Sequence, residues 1–177
     1  MIILDTPRLK VRDYKLSDLD EMHRLWSDVE TMYYLDDIYT TSIEGTRKFL
    51  QNGMTNSDGH YFCICEKGSD DFIGGIGYTI TARTPLGNVV HLGYMLLPEY
   101  HRRGYMPEAV KTVIEFAFTQ DDCIRMTSGC HTENIASSKV LDRAGFRKEG
   151  ECIKAVYHDG VMKDRLEYAI NKDEFLV

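Results

Sequence analysis

The chain has 177 residues, 43% hydrophobic and 28% charged, with 28 Asp and Glu against 21 Lys and Arg. That length suits a single domain over residues 1–177 with a substantial core, and a net charge of −7 disfavours a nucleic-acid partner, which needs a basic face. No run reaches membrane length, the opening MIILDTPRLK is too short an apolar run for a signal peptide, and five scattered cysteines read as free thiols in a reducing cytoplasm. In chain order, RLKVR (8–12) alternates as a strand. Ser17 then caps a helix with apolar Leu19, Met22, Leu25 and Trp26 at helical spacing. Residues 41–53 read as a second helix. YFCICEK (61–67) and FIGGIGYTIT (72–81) read as strands joined by the turn GSDD, and VVHLGYML (89–96) as a third apolar strand. Cys63 and Cys65 share one face and read as buried small apolar residues, with no His/Cys cluster to make a metal site. Pro107 suits the first turn of a helix whose apolar face is Ala109, Val110, Val113, Ile114 and Ala117. A strand (124–130), a short helix (134–145) ending at Gly145 and a hairpin over 150–170 around HDG complete a mixed α/β architecture with an antiparallel front half.

The charge is uneven. Between Ser17 and Glu44 stand eight acids (Asp18, Asp20, Glu21, Asp28, Glu30, Asp36, Asp37, Glu44) and one base, Arg24, so this segment carries a charge equal to that of the whole chain. It reads either as a solvated helix face or as a wall for a cationic partner.

LLPEYHRRGYMPEAV (96–110) runs strand, turn, helix, with two arginines and Gly104 at the helix entrance. The first N–H groups of a helix lack intrahelical partners and carry the positive end of its dipole. Glycine lets the backbone approach a ligand, and the arginines add charge, so the turn suits a phosphate or pyrophosphate. Read alone, the same residues also fit a surface turn.

YHRRGYMPEA resembles the pyrophosphate loop of the GNAT N-acetyltransferase superfamily, Arg/Gln-x-x-Gly-x-Gly/Ala, and follows HLGYMLLP, which resembles that family's central strand. NIASSKVLDRAGFRKEG resembles its Asn-x-x-Ser/Ala…Gly-Phe segment. TPRLKVR, GFRKEGE and YHDGVMKDRLEYAI resemble the RimJ/RimL-like branch, which acetylates ribosomal-protein N-termini. The resemblance spans Thr6 to about Ile170. It implies a strongly twisted mixed sheet, splayed in the middle, with acetyl-CoA wedged into the splay, and no metal. His101 stands where the family has Arg or Gln, and Met106 where it has a second small residue.

The implied reaction is acyl transfer from a thioester to an amine, as a monomer or homodimer. The implied cofactor contacts are His101, Arg102, Arg103, Gly104, Tyr105 and Met106 at the pyrophosphate. Backbone N–H groups near Met95, Leu96 and Leu97 serve the acyl oxygen, and Asn134 and Ser137 also reach CoA. An attacking amine needs a base. His91 is the candidate, with a structural hydrogen bond as the equal alternative. Alternation places His91, Gly93 and Met95 on one face. The family's acidic tyrosine, seven residues after the motif asparagine, is Leu141 here. Ser137 is the substitute, with Tyr157 behind it, although a helical serine also back-bonds to its own carbonyls. Asn134 caps its helix, touches CoA, or does both. Turn residue His158 reads as solvated, and Cys130 and His131 as pointing to opposite faces. Asp36 and Asp37, among tyrosines, are the candidate acceptor residues. The acceptor is a protein N-terminus or another cationic amine. Alternatives are a polyamine or aminoglycoside acetyltransferase, or a CoA-binding sensor.

Overall fold

Residues 1–35, 42–55 and 58–175 are described by the computed structural model. Asp36 and Asp37 lie outside the described residues. Eight strands among the described residues form one sheet: β1 (Ile3–Asp5), β2 (Leu9–Asp13), β3 (Gly59–Glu66), β4 (Phe72–Thr84), β5 (Gly87–Leu96), β6 (Cys123–His131), β7 (Arg147–His158) and β8 (Val161–Asn171). Their spatial order is β1-β2-β3-β4-β5-β6-β8-β7. β1 to β5 are antiparallel neighbours, as expected for the front half. β5 and β6 run parallel, because α3 (Tyr105–Gln120) carries the chain back between them. The other helices are α1 (Leu19–Trp26), α2 (Ile43–Thr55), α4 (Ile135–Ala144) and a short α5 (Lys172–Phe175). β1 and α5 go beyond the sequence reading. At three and four residues they are too short for a periodic signal. No helix among the described residues is long and apolar enough to cross a membrane.

The sheet has a core on each face. On one side the α3 stripe of Ala109, Val110, Val113, Ile114 and Ala117 packs on Leu9, Val11, Phe62, Ile64, Val90 and Leu92. All five stripe residues are fully buried, and burying a side chain the size of Val113 or Ile114 contributes about 1.5–3 kcal/mol. On the other side α1 and α2 bring Leu25, Trp26 and Leu50 onto Cys63, Cys65 and Phe72, so the two cysteines are buried as expected. Ser17 is not the residue that starts α1. A 3₁₀ turn (Leu16–Asp18) precedes the helix. Buried Asp18 accepts the Lys15 N–H at 2.7 Å and both Nη groups of buried Arg12 at 2.8 and 2.9 Å. The bidentate pair satisfies a charge that would otherwise be costly to bury.

The feature that makes a site is where the parallel ladder ends. β5 and β6 pair in register only from Asn88↔Cys123 to His91↔Thr127. Beyond that, β5 continues to Leu96 paired with β4, and β6 continues to His131 paired with β8. The two strands part at the middle of the sheet. Ser128 Oγ still donates to the Leu92 carbonyl at 3.0 Å, at the apex of the gap.

Candidate active site

Where β5 ends, the chain turns through Pro98–Tyr100 and enters α3. Arg102 and Gly104 both have left-handed backbones, with φ of 61° and 76°. Gly104 is the residue before the helix, and no side chain caps it. The turn is held from outside by the N-terminal segment. Arg8 donates from Nη1 to the Arg103 carbonyl at 2.8 Å and from Nη2 to the Gly104 carbonyl at 3.1 Å. Glu108, one turn into α3, fixes Arg8 through its Nε at 2.7 Å and also accepts from the Thr6 hydroxyl. Burial pushes the Glu108 carboxyl up, but these hydrogen bonds outweigh it and the net shift is downward. A trans peptide points its N–H opposite to its C=O. With both carbonyls turned to Arg8, the Gly104 and Tyr105 N–H groups point away from it, next to the unpaired first N–H groups of α3. Arg102 and Arg103 are exposed, and the Arg103 guanidinium lies over the Tyr100 ring. This is a cationic, backbone-lined cradle whose geometry fits a pyrophosphate. The two departures from the family pattern are accommodated. Met106 buries its side chain in the core and keeps its N–H in the first turn. His101 Nε2 donates to the Leu96 carbonyl at 2.9 Å and fixes the end of β5.

The backbone of β5 sorts the expected acyl-oxygen donors. The Val90, Leu92 and Leu96 carbonyls accept from Thr127, Ser128 and His101, so even-numbered residues direct their polar groups toward β6 and the gap. The Leu97 N–H bonds to the Ile73 carbonyl at 2.9 Å, on the β4 side. N–H and C=O of one strand residue point the same way. Of Met95, Leu96 and Leu97, therefore, only Leu96 turns its N–H into the gap, and Tyr94 joins it. The expectation for Met95 and Leu97 is corrected by the parity of the strand.

Across the gap, Asn134 caps α4, its side-chain oxygen accepting the Ser137 N–H at 3.0 Å, which leaves its amide NH₂ available. Ser137, in the first turn of α4, does not bond back to a helix carbonyl. Its Oγ lies 2.8 Å from Tyr94 Oη, which reaches over from β5. Cys130, from β6, also neighbours Ser137, and burial raises its thiol pKa. Tyr94 escaped the sequence reading. Its signal was the alternation that put His91 on one face of β5 and therefore Tyr94 on the other.

His91 lies on the opposite face. Thr127 Oγ1 donates to the Val90 carbonyl, so it must accept from His91 Nδ1–H at 3.0 Å. The Nε2 lone pair is then met by Arg165 Nη2 at 3.3 Å. Burial lowers the His91 pKa, and the Arg165 charge lowers it further. Arg165 can lie here because Gly129 has no side chain: a Cβ there would meet its Nη2 at 2.6 Å. Arg165 Nε in turn donates to Glu167 at 2.8 Å. His91, Thr127, Gly129, Arg165 and Glu167 are partly exposed and Gly93 is exposed, giving a polar open face beside the gap. Tyr157 is not part of either group; it is 71% exposed near the tip of the β7–β8 hairpin. His158, expected to be solvated, is 3% exposed. The hairpin folds onto the segment after α1, and His158 packs among Tyr33, Tyr34 and His131 with ring centroids 4.5 to 6.1 Å away. Cys130 and His131 do face opposite ways, toward the α3 core and toward Tyr34 respectively. Among the described residues no three His, Cys, Asp or Glu side chains converge as a metal site.

The chain matches the family described as Acetyltransferase (GNAT) domain over residues 8–147. It is 32% identical over 174 residues to the Probable N-acetyltransferase YjcK of Bacillus subtilis (strain 168), covering 93% of this chain and 94% of that protein. The structure of a ribosomal-protein-S5-alanine acetyltransferase from Vibrio fischeri is similar at a TM-score of 0.82, with 26% identity over 99% of each chain. That of spermidine N-acetyltransferase from Vibrio cholerae, in complex with CoA and spermine, has a TM-score of 0.87 with 16% identity, covering 97% of this chain and 100% of that one. The last likeness is one of fold alone.

Proposed function

The chain belongs to the GNAT acetyltransferase family, in its RimJ/RimL-like branch, with acetyl-CoA as donor, and from that premise we propose that it acetylates the N-terminal amine of a protein in the cytoplasm. We read residues 1–177 as one such domain. The observation that carries the reading is the left-handed turn at Arg102 and Gly104, braced by Arg8, at the mouth of the gap between β5 and β6. In this reading His101 to Met106 hold the pyrophosphate, the Tyr94 and Leu96 N–H groups meet the acyl oxygen, and the Ser137 hydroxyl faces the departing thiol. The amine enters from the polar open face and loses its proton there to solvent.

His91 is assigned a supporting part. Both of its ring nitrogens are engaged, and a guanidinium beside Nε2 makes it a weaker base. Among the described residues the sheet face beside the gap is partly exposed, with room for an extended chain, which favours a polypeptide acceptor over a small one. The relative that acts on a ribosomal-protein alanine supports the same choice. The test is mass spectrometry of products from acetyl-CoA with N-terminal peptides of varied sequence, set beside spermidine, spermine and an aminoglycoside. Acetylated peptide α-amines at rates well above those of the polyamines are the expected result. Preferred acetylation of a polyamine or aminoglycoside overturns the acceptor, and CoA binding without thiol release overturns the enzyme reading.

A further inference from the structure

Ser137 behaves unlike the hydroxyl residues of α3, and like its neighbour Ser138, which meets the Tyr168 phenol at 2.8 Å. Thr112 and Thr119 of α3 donate back to the carbonyls of Glu108 and Glu115, at 3.2 and 2.7 Å. Ser137 instead meets a phenol that crosses from the opposite side of the gap, with Oη to Oγ at 2.8 Å and Oη to the Ser137 carbonyl at 3.2 Å. A serine hydroxyl has one proton and two acceptor positions. If it donated to Tyr94, that proton would be engaged and useless to a thiol. If it accepts from Tyr94, and at its second acceptor position from the Cys130 thiol that also hydrogen-bonds it, the proton is left over for the gap.

We propose that Tyr94 is a positioning residue for acyl transfer: its hydroxyl donates to Ser137 Oγ and thereby directs the single Ser137 proton at the sulfur of the departing thiol. The proposal rests on the reading of Ser137 given above. When the bond between acyl carbon and sulfur breaks, both electrons stay on sulfur. The sulfur accepts a hydrogen bond from Ser137, and the proton that finally neutralises it is the one the acceptor nitrogen gives up through solvent. Ser137 and Tyr94 keep their own protons, so charge and atoms balance. Tyr94 is suited to this duty. Burial raises its pKa, only partly offset by the Ser137 hydrogen bond, so the phenol remains a donor over the working pH range. The other neighbour of Ser137, the Cys130 thiol, is also held uncharged, because burial outweighs the Ser137 hydrogen bond, so it keeps its own proton to donate to Ser137 and sets up no competing anion. This arrangement gives a chain with Leu141 in the family's tyrosine position a tyrosine after all, placed on β5 and acting one atom removed.

A tyrosine that merely ties β5 to α4 has the same hydrogen bond, so the test varies the leaving group. Tyr94→Phe, Ser137→Ala and Ser137→Thr are compared with the parent using acetyl-CoA and an arylthio acetate, whose thiol is far more acidic and needs little help to leave. CoA affinity and thermal melting are recorded for each variant. Tyr94→Phe is expected to lower kcat with acetyl-CoA tenfold or more, with CoA affinity unchanged. The ratio of parent to variant should fall close to one with the aryl donor. Ser137→Ala should show the same contrast, and Ser137→Thr, which keeps a hydroxyl, should retain most activity. Equal losses on both donors for Tyr94→Phe, or no loss, overturn the proposal. If Ser137→Ala alone shows the contrast, the Ser137 reading stands and only Tyr94 falls. If neither shows it, both fall.

Discussion

Arg8 shows how one side chain far from the motif can set its geometry. It binds two successive carbonyls of the turn and is itself fixed by Glu108, so the turn is shaped from the N-terminal segment. Arg8→Ala should raise the CoA dissociation constant about three- to tenfold, which is ~0.7–1.4 kcal/mol, measured by calorimetry. Unchanged affinity would mean that the turn holds its shape unaided. Gly104 is the more sensitive position. At φ 76° an added side chain is strained by about 1–2 kcal/mol, and a Cβ would stand 3.5 Å from Arg8 Nη2. Gly104→Val should weaken CoA binding at least tenfold, or ~1.4 kcal/mol; a folded variant with normal affinity would remove the turn from the site. For His91 the hydrogen bonds alter what its sequence position suggested. With a lowered pKa it is neutral at pH 7 in any case, and His91→Ala should cost less than about tenfold in turnover, against the 10²-fold or more expected of a lost general base. A larger loss that also removes the acid limb of the pH profile would restore it as the base. The same shift makes a stability claim. Below about pH 6.5 the unfolded His91 gains a proton that the folded one resists. Its contribution is therefore complete above that pH and lost as pH falls toward the folded value. His91→Gln should flatten this acid-side loss in urea unfolding at pH 7.5 and 5.5.

At the level of elements, the stripe on α3 is a direct consequence of spacing. Ile114→Ala should destabilise by roughly 2–5 kcal/mol, since α3 is pressed on the sheet and cannot close the cavity without moving. A loss under 1 kcal/mol in chemical denaturation would show that the face collapses easily. Patterns of this kind were legible: the stripe, the alternation of β5, the Asn134 cap, the Gly145 stop at φ 98° and the glycine turn before α3 all follow from neighbours in sequence. What was not legible depends on partners far along the chain. That the β5–β6 ladder ends at His91↔Thr127 is set by register, and no local period encodes it. Tyr94 meeting Ser137, and Arg165 lying over Gly129 to reach His91, each join residues tens of positions apart. His158 looked solvated because turns usually are, yet its hairpin docks on Tyr33 and Tyr34, a contact invisible in the HDG tripeptide.

Over the whole molecule, the acidic segment between Ser17 and Glu44 is less bare than its composition suggests. Asp18 is bound to Arg12, Glu21 to Arg24, Arg24 also to Glu99, and Glu44 to Arg47. Local pairing does not cancel the net charge of −7, however, and a cationic substrate at a distance responds to that sum. Screening within about 8–10 Å at ordinary salt means that the attraction acts on encounter and little on the bound state. A peptide acceptor with Lys or Arg near its N-terminus should therefore lose about threefold or more in kcat/KM as salt rises from about 0.05 to 0.5 M, while a neutral peptide loses little. Asp36→Asn with Asp37→Asn tests the local share of that field, because YYLDDIY sets both acids among tyrosines. The double variant should flatten the salt slope and leave the KM for acetyl-CoA nearly unchanged, since the pyrophosphate turn has its own arginines. If the neutral peptide shows the same slope, the field does not select the acceptor. If the double variant keeps the parent slope, attraction comes from the net charge as a whole and those two aspartates are ordinary surface.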